Sequence, residues 1–514
     1  MPLSQSILSL LRTQGRLEKG TFGVKGSRGR CWPVVTADGT GVVSHAGTAL
    51  LRELAERVAL RAEYSAVLAE PGRRGGGHDP GQVLVDLAVT LADGGEAIGD
   101  IAALADQPVL HGPVASPATA WRVLAGIDAA RLADLRQARA LARERAWLAR
   151  AEVTGRTMPP ARAAGRDLEF VVLDIDATLV EAHSEKEFAS PHFKGGFGFH
   201  PILCFLDNTN EALAGVLRTG RSGSNTAADH ITVLDLALAQ LPEAARAGRI
   251  LVRTDGAGFS HAFVEHLTTM TLEYSVGYAV TEDVRDAIAA LPEWAWTDAV
   301  TTDGGLRDGA QVVEITDQLV EVGRLVTAKR RRERTAAGLP ERADKTSKHR
   351  AWPAGMRVIV RRERPHPGAQ LDVFEERDGY RYQAMATNTP VGQLAFLEAR
   401  HRAHARVEDR IRQAQDAGLH RLPSRLFSLN AVWVELALAA ADLLAWTQTT
   451  LLVDEPALAR AEWKAIRYRL LHTAARITSS GRRTFLRLQA GWPWALALAR
   501  AFTLLRRIPV PATT

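Results

Sequence analysis

The chain has 514 residues, 46% hydrophobic and 24% charged, enough for about three or four domains of ordinary globular composition. That balance excludes wholesale disorder, collagen-like repeats and a miniature disulfide scaffold. Its two cysteines, Cys31 and Cys204, stand far apart and in no ligand spacing, so no disulfide framework or cysteine-rich zinc site is available, while a formal net charge of +6 permits a polyanionic partner without demanding one.

The N-terminus opens MPLSQSILSLLRTQGR, with no basic region and no small-residue cleavage site, which argues against export and sets the expectation of a cytoplasmic chain. Residues 42–150 carry apolar positions at helical spacing, as in HAGTALLRELAERVAL and QVLVDLAVTLADGG. Ser116-Pro117 opens the helix ATAWRVLAGI after the short helix EAIGDIAALA. Two short helices joined by a turn outline either a helix-turn-helix, whose second helix enters a DNA groove, or an ordinary helical hairpin. Residues 1–160 are expected to form a helical N-terminal domain, a DNA-binding one on the first of these two outlines.

TMPPARAAG at 157–165 marks a linker. Behind it LEFVVLDIDATLV, HPILCFLDN, ALAGVLRTG, RILVRTDG and LEYSVGYAV are strand-length apolar runs, with helical segments between the third and fourth and between the last two. Three strands, then helix, strand, helix, strand describe the mixed sheet of an α/β core at 166–280. In 281–389, VTTDGG, GAQVVEITDQ, MRVIVRRERP, LDVFEERDG and YRYQAMATN read as antiparallel strands, with Asp378-Gly379 as a hairpin turn. This β-rich block is expected to stand outside the core. Helical pattern resumes at Pro390, closes the core over 390–450 with a C-cap at Gly418, and continues as a helical tail over 451–514. The apolar stretches 431–446 and 492–505 are short for a bilayer span and are broken by Glu435, Asp442 and Arg500, so both read as buried core helices.

Chemistry is suggested by acids at strand ends. Asp174 and Asp176 share one face by the period of two, and Asp255 ends RILVRT before Gly-Ala-Gly. A strand end fixes where carboxylate oxygens point, as a metal site requires; each acid alone is equally at home as a turn or cap residue. FVVLDIDATLV resembles the first motif of haloacid-dehalogenase-type phosphatases, which would make Asp174 nucleophile and Asp176 acid/base, with Asp303 and Asp308 on a metal. That reading lacks its lysine, because none occurs between Lys194 and Lys329.

A longer resemblance runs in order through VSHAGTALLRELAERVAL, DPGQVLVDLAVTLADGGEAIGDIAALADQP, LDIDATLVEAHSEKE, FKGGFGFHPILCFLDNTNEALAGVLRTGRSGSNTAADHI, ILVRTDGAGFSHAF, RVEDRIRQAQDAGL and FSLNAVWVELALAAADLLAW. These segments resemble bacterial insertion-sequence transposases of the DDE type, in particular the insertion-sequence thirteen-eighty family. The resemblance implies an RNase H-like core interrupted by a β-rich insertion, in which Asp176, Asp255 and Glu408 bind two Mg2+ ions, or Mn2+. Two such ions activate an attacking water or 3′-hydroxyl and stabilise the leaving oxygen of a phosphodiester. It also implies double-stranded DNA as partner, both transposon ends and target, a homodimer in the synaptic complex, and no membrane.

Related transposases carry a Tyr-x2-Arg-x3-Glu-x6-Lys signature around the glutamate, where this chain has His401, His404, Glu408 and Gln415. Asp174, Asn225, Asp229 and His404 are candidate supporting residues: Asp174 as a second acid or a plain strand-end residue, Asn225 as phosphate ligand or helix cap, His404 as a phosphate contact. Arg122, Lys194, Arg221, Arg402 and Arg412 are candidate DNA contacts. So are Arg330, Arg331 and Arg332 in AKRRRER, which with Lys345, Lys348, Arg361, Arg362 and Arg364 forms either a basic surface or a solvated loop. Trp294 and Trp296 either stack on a base or belong to the core. A catalytically silent DNA-binding descendant of a transposase is the further alternative.

Overall fold

The structure is a computed structural model that describes residues 35–69, 77–182, 185–223, 226–336 and 352–510. Gly41–Thr514 is one compact unit, distinct from residues 1–40, and holds every element named below. It begins with helices α1 (Thr48–Arg57), α2 (Leu60–Val67), α3 (Pro80–Ala92), α4 (Pro117–Ala125) and α5 (Ala129–Thr154). Ser116 caps α4 by accepting from the Thr119 N–H at 3.3 Å, with Pro117 at the first helical position, as the sequence predicts. The expected partner helix is broken instead into a short turn of helix at Ile98–Ile101 and the one-turn helices Ala102–Ala105 and Pro108–His111.

A nine-stranded sheet follows. Its first five strands are β1 (Val171–Ala177), β2 (Ile202–Leu206), β3 (Glu211–Val216), β4 (Ile250–Thr254) and β5 (Glu273–Tyr278). They lie in the order β3-β2-β1-β4-β5. β1, β2 and β3 form an antiparallel meander, whereas β4 runs parallel to both β1 and β5. The parallel pairs need crossovers, and α6 (Ala227–Gln240) and α7 (His261–Thr269) supply them. Alternation then divides β1 between two faces. Val171, Leu173 and Ile175 pack with Val233, Leu234 and Phe263 beneath α6 and α7, while Val172 turns the other way, toward Ala403. Asp174 and Asp176 share the face of Val172.

The block at 281–389 is not a separate unit. Its strands β6 (Thr297–Val300), β7 (Leu306–Glu314), β8 (Arg357–Glu363) and β9 (Arg381–Thr387) are antiparallel as expected, but β9 pairs with β5, so the order continues β6-β7-β8-β9-β5. The physical reason is a shared apolar face. Val358, Val360, Ala384 and Ala386 extend the cluster that Tyr274 and Val276 begin, and the pairing covers the otherwise bare edge of β5. The block also contains helices the strand reading missed, α8 (Glu282–Ala289), α9 (Thr316–Ala336) and α10 (Val373–Asp378). LDVFEERDG is α10 rather than a strand, because Asp372 and Glu375 form a reciprocal capping box and Gly379, at φ +74°, is the C-cap instead of a hairpin turn.

The closing segment forms α11 (Leu394–Arg402), α12 (Arg406–Ala414), α13 (Phe427–Trp446) and α14 (Ala495–Leu505). Helical geometry stops at Gly418, as predicted, with φ +103°. Phe427–Leu451 is long and apolar enough by composition to cross a bilayer, but 83% of its most apolar window is buried inside the fold, the signature of a core helix. The tail is not wholly helical: Ala475–Ser480 and Arg483–Leu488 form a hairpin that pairs with Val42–Val43.

One hydrophobic cluster joins Leu50, Leu54, Leu84 and Leu135 from the N-terminal helices to Leu203 and Phe205 of β2, Leu436 and Leu444 of α13 and Leu505 of α14. Residues 1–160 therefore own no core of their own among the described residues. Three fully buried arginines of α5 reinforce that union. Arg139 reaches Glu435 at 2.5 Å and Asp442 at 2.6 Å, Arg143 reaches Glu211 at 2.8 Å, and Arg150 reaches Glu211 at 3.0 Å. Buried pairs of this kind add little net stability but penalise any packing that separates the partners, which fixes α5 against β3 and α13.

Candidate active site

Strand register brings the first two acids together. Asp174 lies opposite Arg253 and Ile175 opposite Thr254 in the parallel pair β1–β4. One step further, Asp176, still paired with Leu203 of β2, and Asp255, just past the end of β4, stand at the carboxyl ends of adjacent strands. Asp176 Oδ1 accepts from the Ala177 N–H at 2.7 Å, and Asp255 Oδ1 accepts from the Ala257 N–H at 2.9 Å in the turn Gly256–Gly258. β5 leaves room for that turn with a glycine, since a Cβ on Gly277 would stand 2.4 Å from the Gly256 nitrogen.

The third acid arrives on α12, which packs on β1 and β2. What holds the helix there is a buried ionic network. Arg253 Nε and Nη2 donate to the two oxygens of Asp174, each at 2.8 Å, and Nη2 also donates to Asp207 at 2.7 Å. From the helical side Arg410 donates to Asp174 at 3.0 Å, Arg406 to Asp207 at 2.7 Å, and His404 Nδ1 lies 2.9 Å from Asp174 Oδ1. Burial opposes ionisation of Asp174, but Arg253 and then His404 outweigh it and hold the carboxyl well below its ordinary value. Asp207 is likewise lowered against its burial by Arg410 and Arg253. With Arg406 and Arg410 facing the sheet one turn apart, Glu408 between them is carried to the exposed side.

Asp176 behaves in the opposite way. Burial, then the charge of Asp255, and further the charge of Glu408, push it up to about 6, against the opposing pull of His404 and the Ala177 N–H. Asp176 therefore senses the charge of both other carboxylates. Among the described residues none of the three has an ion-pair partner, because the nearby arginines are committed to Asp174 and Asp207. Carboxylate oxygens are the donors a hard divalent cation takes, although among the described residues the ligand atoms of these three acids do not all lie within 4.8 Å of one another. The phosphatase arrangement is absent. Asp308 is on β7, five strand spacings of about 4.8 Å from β1, and exposed Asp303 sits in the turn whose Thr302 carbonyl accepts from the Gly165 N–H.

The family model described as transposase DDE domain group 1 matches residues 30–510. The chain belongs to that transposase family. Among solved structures it is similar to the cryo-EM structure of the piggyBac transposase synaptic complex with hairpin DNA, at 10% identity and a TM-score of 0.37, over 83% of this chain and 79% of that one. No curated protein matches it.

Several other predicted residues of this DDE-family chain serve its fold. Asp174, expected as a supporting acid or a plain strand-end residue, is the buried anchor described above. His404 is buried against it and does not face solvent for a phosphate. Asp229 pairs with buried Arg218 at 2.9 Å. Arg402 is spent on the Val300 carbonyl and on Glu398 at 3.2 Å. Exposed Arg412 pairs with Asp409 and Glu462, at 2.8 and 3.0 Å, rather than with Glu408. Arg361 and Arg362 are buried, Arg361 against Glu398 and Arg362 stacked 4.3 Å from the Trp296 ring, so neither forms a basic surface. Trp296 is core, whereas Trp294 is 85% exposed. Arg122, Lys194, Arg221, Arg332 and Arg364 are exposed. AKRRRER lies on α9, not in a loop; the side chains of Arg330 and Arg331, and the whole of Asn225, Lys345, Lys348 and Cys31, fall outside the described residues.

At the positions of the family's Tyr and Lys, His401 Nδ1 lies 3.0 Å from Ser275 Oγ, and Gln415 donates to Thr178 Oγ1 at 2.9 Å, two residues beyond Asp176. Sequence reading missed Arg253, Asp207, Arg406 and Arg410. The available signal was an arginine inside the apolar run ILVRT and an arginine pair spaced by one helical turn beside Glu408.

Proposed function

We propose that this chain is a DNA transposase of the insertion-sequence thirteen-eighty type, which binds the terminal inverted repeats of its element, cleaves there and joins the 3′ ends to target DNA. The observation that carries the reading is the placement of three carboxylates without ion-pair partners among the described residues: Asp176 and Asp255 at the carboxyl ends of adjacent parallel strands, and Glu408 on the helix packed on that sheet, with Asp176 feeling the charge of both. The order β3-β2-β1-β4-β5, with its antiparallel meander and two parallel crossovers, is what an RNase H-like core requires and supports the same reading.

Asp176, Asp255 and Glu408 would hold Mg2+ or Mn2+, and two such ions supply an activated water or 3′-hydroxyl and stabilisation of the leaving oxygen. The chain's own part is to keep these three side chains fixed and unneutralised. Arg253, Arg410 and Arg406 contribute by pairing with Asp174 and Asp207 instead of folding back over the acids. Arg122, Lys194, Arg221 and Arg332 are exposed and would meet DNA phosphates, with counterion release as the driving force. Two ends must be processed together, so a homodimer in the cytoplasm, at the nucleoid, completes the proposal.

The test is cleavage of duplexes carrying the element's ends. Asp176→Asn, Asp255→Asn and Glu408→Gln should each slow cleavage at least about a hundredfold and leave end binding unchanged, since each removes a metal ligand and little packing. Wild-type rates in any one variant would remove that residue from the site. End binding without cleavage by the wild-type protein in both Mg2+ and Mn2+ would favour the catalytically silent alternative.

A further inference from the structure

Far from the three acids in sequence, His45, Asp93 and His472 come together where the segment before α1, the C-terminal end of α3 and the start of the tail hairpin meet. One ligand atom from each lies within 4.8 Å of the other two. His45 Nδ1 is 2.5 Å from Asp93 Oδ2, and His472 Nε2 is 3.2 Å from Asp93 Oδ1. The two imidazoles stack, with centroids 4.1 Å apart and planes inclined by 25°. We propose that these three side chains form a site for a divalent transition-metal ion of the zinc class, separate from the acidic centre.

Backbone hydrogen bonds join two of the three segments, and side chains tie in the third, His472 Nε2 lying 3.1 Å from the Asp93 carbonyl oxygen. The Ala46 N–H donates to the Thr473 carbonyl at 2.9 Å and the Gly47 N–H to the Leu471 carbonyl at 3.1 Å, so the segments bearing His45 and His472 are zipped together. Gly47 permits the approach, because a Cβ there would lie 2.2 Å from the Leu470 carbonyl oxygen. Arg467 ties in the third segment by donating to the Ala92 carbonyl at 2.7 Å, beside Asp93. His45 itself sits at φ +51°, a left-handed conformation that a side chain other than glycine rarely adopts, and its carbonyl is fixed by the Thr48 N–H at 3.0 Å.

Donor chemistry selects the ion. Two neutral imidazole nitrogens and one carboxylate suit zinc and its neighbours, with water in the open position, while Mg2+ prefers oxygen donors alone. The side chains of His45 and His472 are 36% and 37% exposed, which gives an ion and its water a way in, whereas that of Asp93 is only 9% exposed. A bound ion would clamp the entry to α1 to the tail hairpin and the end of α3, three segments that span most of the chain.

The full-length protein, stripped with a chelator, is titrated with Co2+ and Zn2+ in millimolar Mg2+, which occupies oxygen-only sites. One equivalent should bind, its Co2+ complex should show proton resonances shifted by contact with two imidazole rings, and Asp176→Asn should bind the same equivalent. His45→Gln, His472→Gln and Asp93→Asn should each weaken binding at least about tenfold while unfolding like the wild type in the absence of metal. The proposal is overturned if the wild type binds no Co2+ up to about 100-fold molar excess, if its bound Co2+ lacks imidazole resonances, or if folded variants bind as tightly as the wild type. The wild-type spectrum decides even if the variants fold poorly. Loss of DNA cleavage plays no part in it, so this site and the transposase reading stand or fall separately.

Discussion

Replacing Asp176 by Asn should make the metal-free protein more stable while destroying the activity proposed for it. Burial, Asp255 and Glu408 raise the Asp176 carboxyl from 3.8 to about 6. A shift of about two units corresponds to about 3 kcal/mol at 1.36 kcal/mol per unit, and partial solvent access reduces the expected effect to about 1–2 kcal/mol. Because the folded value lies above the unfolded one, the folded protein holds the extra proton between about pH 4 and 6. Its stability therefore falls as pH rises through that window and stays reduced above it; below the unfolded value no penalty remains. Asn carries no charge and escapes the penalty. Asp86 and Asp442, also raised to about 6 chiefly by burial, titrate in both proteins, so the difference between variant and wild type isolates Asp176. Urea unfolding with a chelator present should show Asp176→Asn ahead by about 1–2 kcal/mol at pH 8 and level with wild type near pH 4. Added Mg2+ should stabilise the wild type more than the variant. A variant equal to or weaker than wild type at pH 8 without metal would refute the penalty that burial and its acidic neighbours place on the Asp176 carboxylate.

Asp174→Asn, two residues away, should do the reverse and cost about 3–5 kcal/mol, because it leaves Arg253, His404 and Arg410 short of their shared buried anion; a melting temperature equal to wild type would show that the network does not hold α12. Gly418→Ala should destabilise by about 1–3 kcal/mol, since the position has φ +103° and a Cβ would stand 2.7 Å from Leu91 Cδ2, and chemical denaturation measures it. A fragment of residues 1–160 should fail to fold alone, its apolar faces stripped of α13 and α14; a cooperative thermal transition in that fragment would contradict the shared core.

The acids at strand ends were legible because their geometry is local: a period of two aligns Asp174 with Asp176, and a strand followed by Gly-Ala-Gly ends at Asp255. Their separate fates were not. Asp174 became structural and Asp176 stayed unpaired only because Arg253 stands opposite Asp174 across β1–β4 and Arg410 reaches it from α12, relations fixed by tertiary register. The five-strand core was readable from length and apolar runs. By contrast, the joining of β9 to β5 depends on which sheet edge is open, and periodicity does not carry that information. LDVFEERDG was misread because Asp-Gly serves a hairpin and a helix C-cap equally well, and the deciding contact, Asp372 with Glu375, lies upstream of it. The basic residues divided by partner rather than by type: Arg361 and Arg362 are used up by Glu398 and Trp296, Arg122 is left to solvent, and no spacing rule separates them.

The cluster that links Leu50 to Leu505 also governs the order in which the chain matures. The N-terminal helices leave the ribosome early, yet much of the surface that covers them arrives with α13 and α14, roughly 380 and 450 residues of translation after α1, which is about 20–90 s at ~5–20 residues/s. Through that interval the apolar faces of α1 to α5 have only one another and then the strands β2 and β3 to cover them, and α13 emerges before its last neighbour exists. Protease resistance acquired by the nascent chain should therefore appear late and in one step, once residues past Leu505 have cleared the exit tunnel, rather than growing domain by domain.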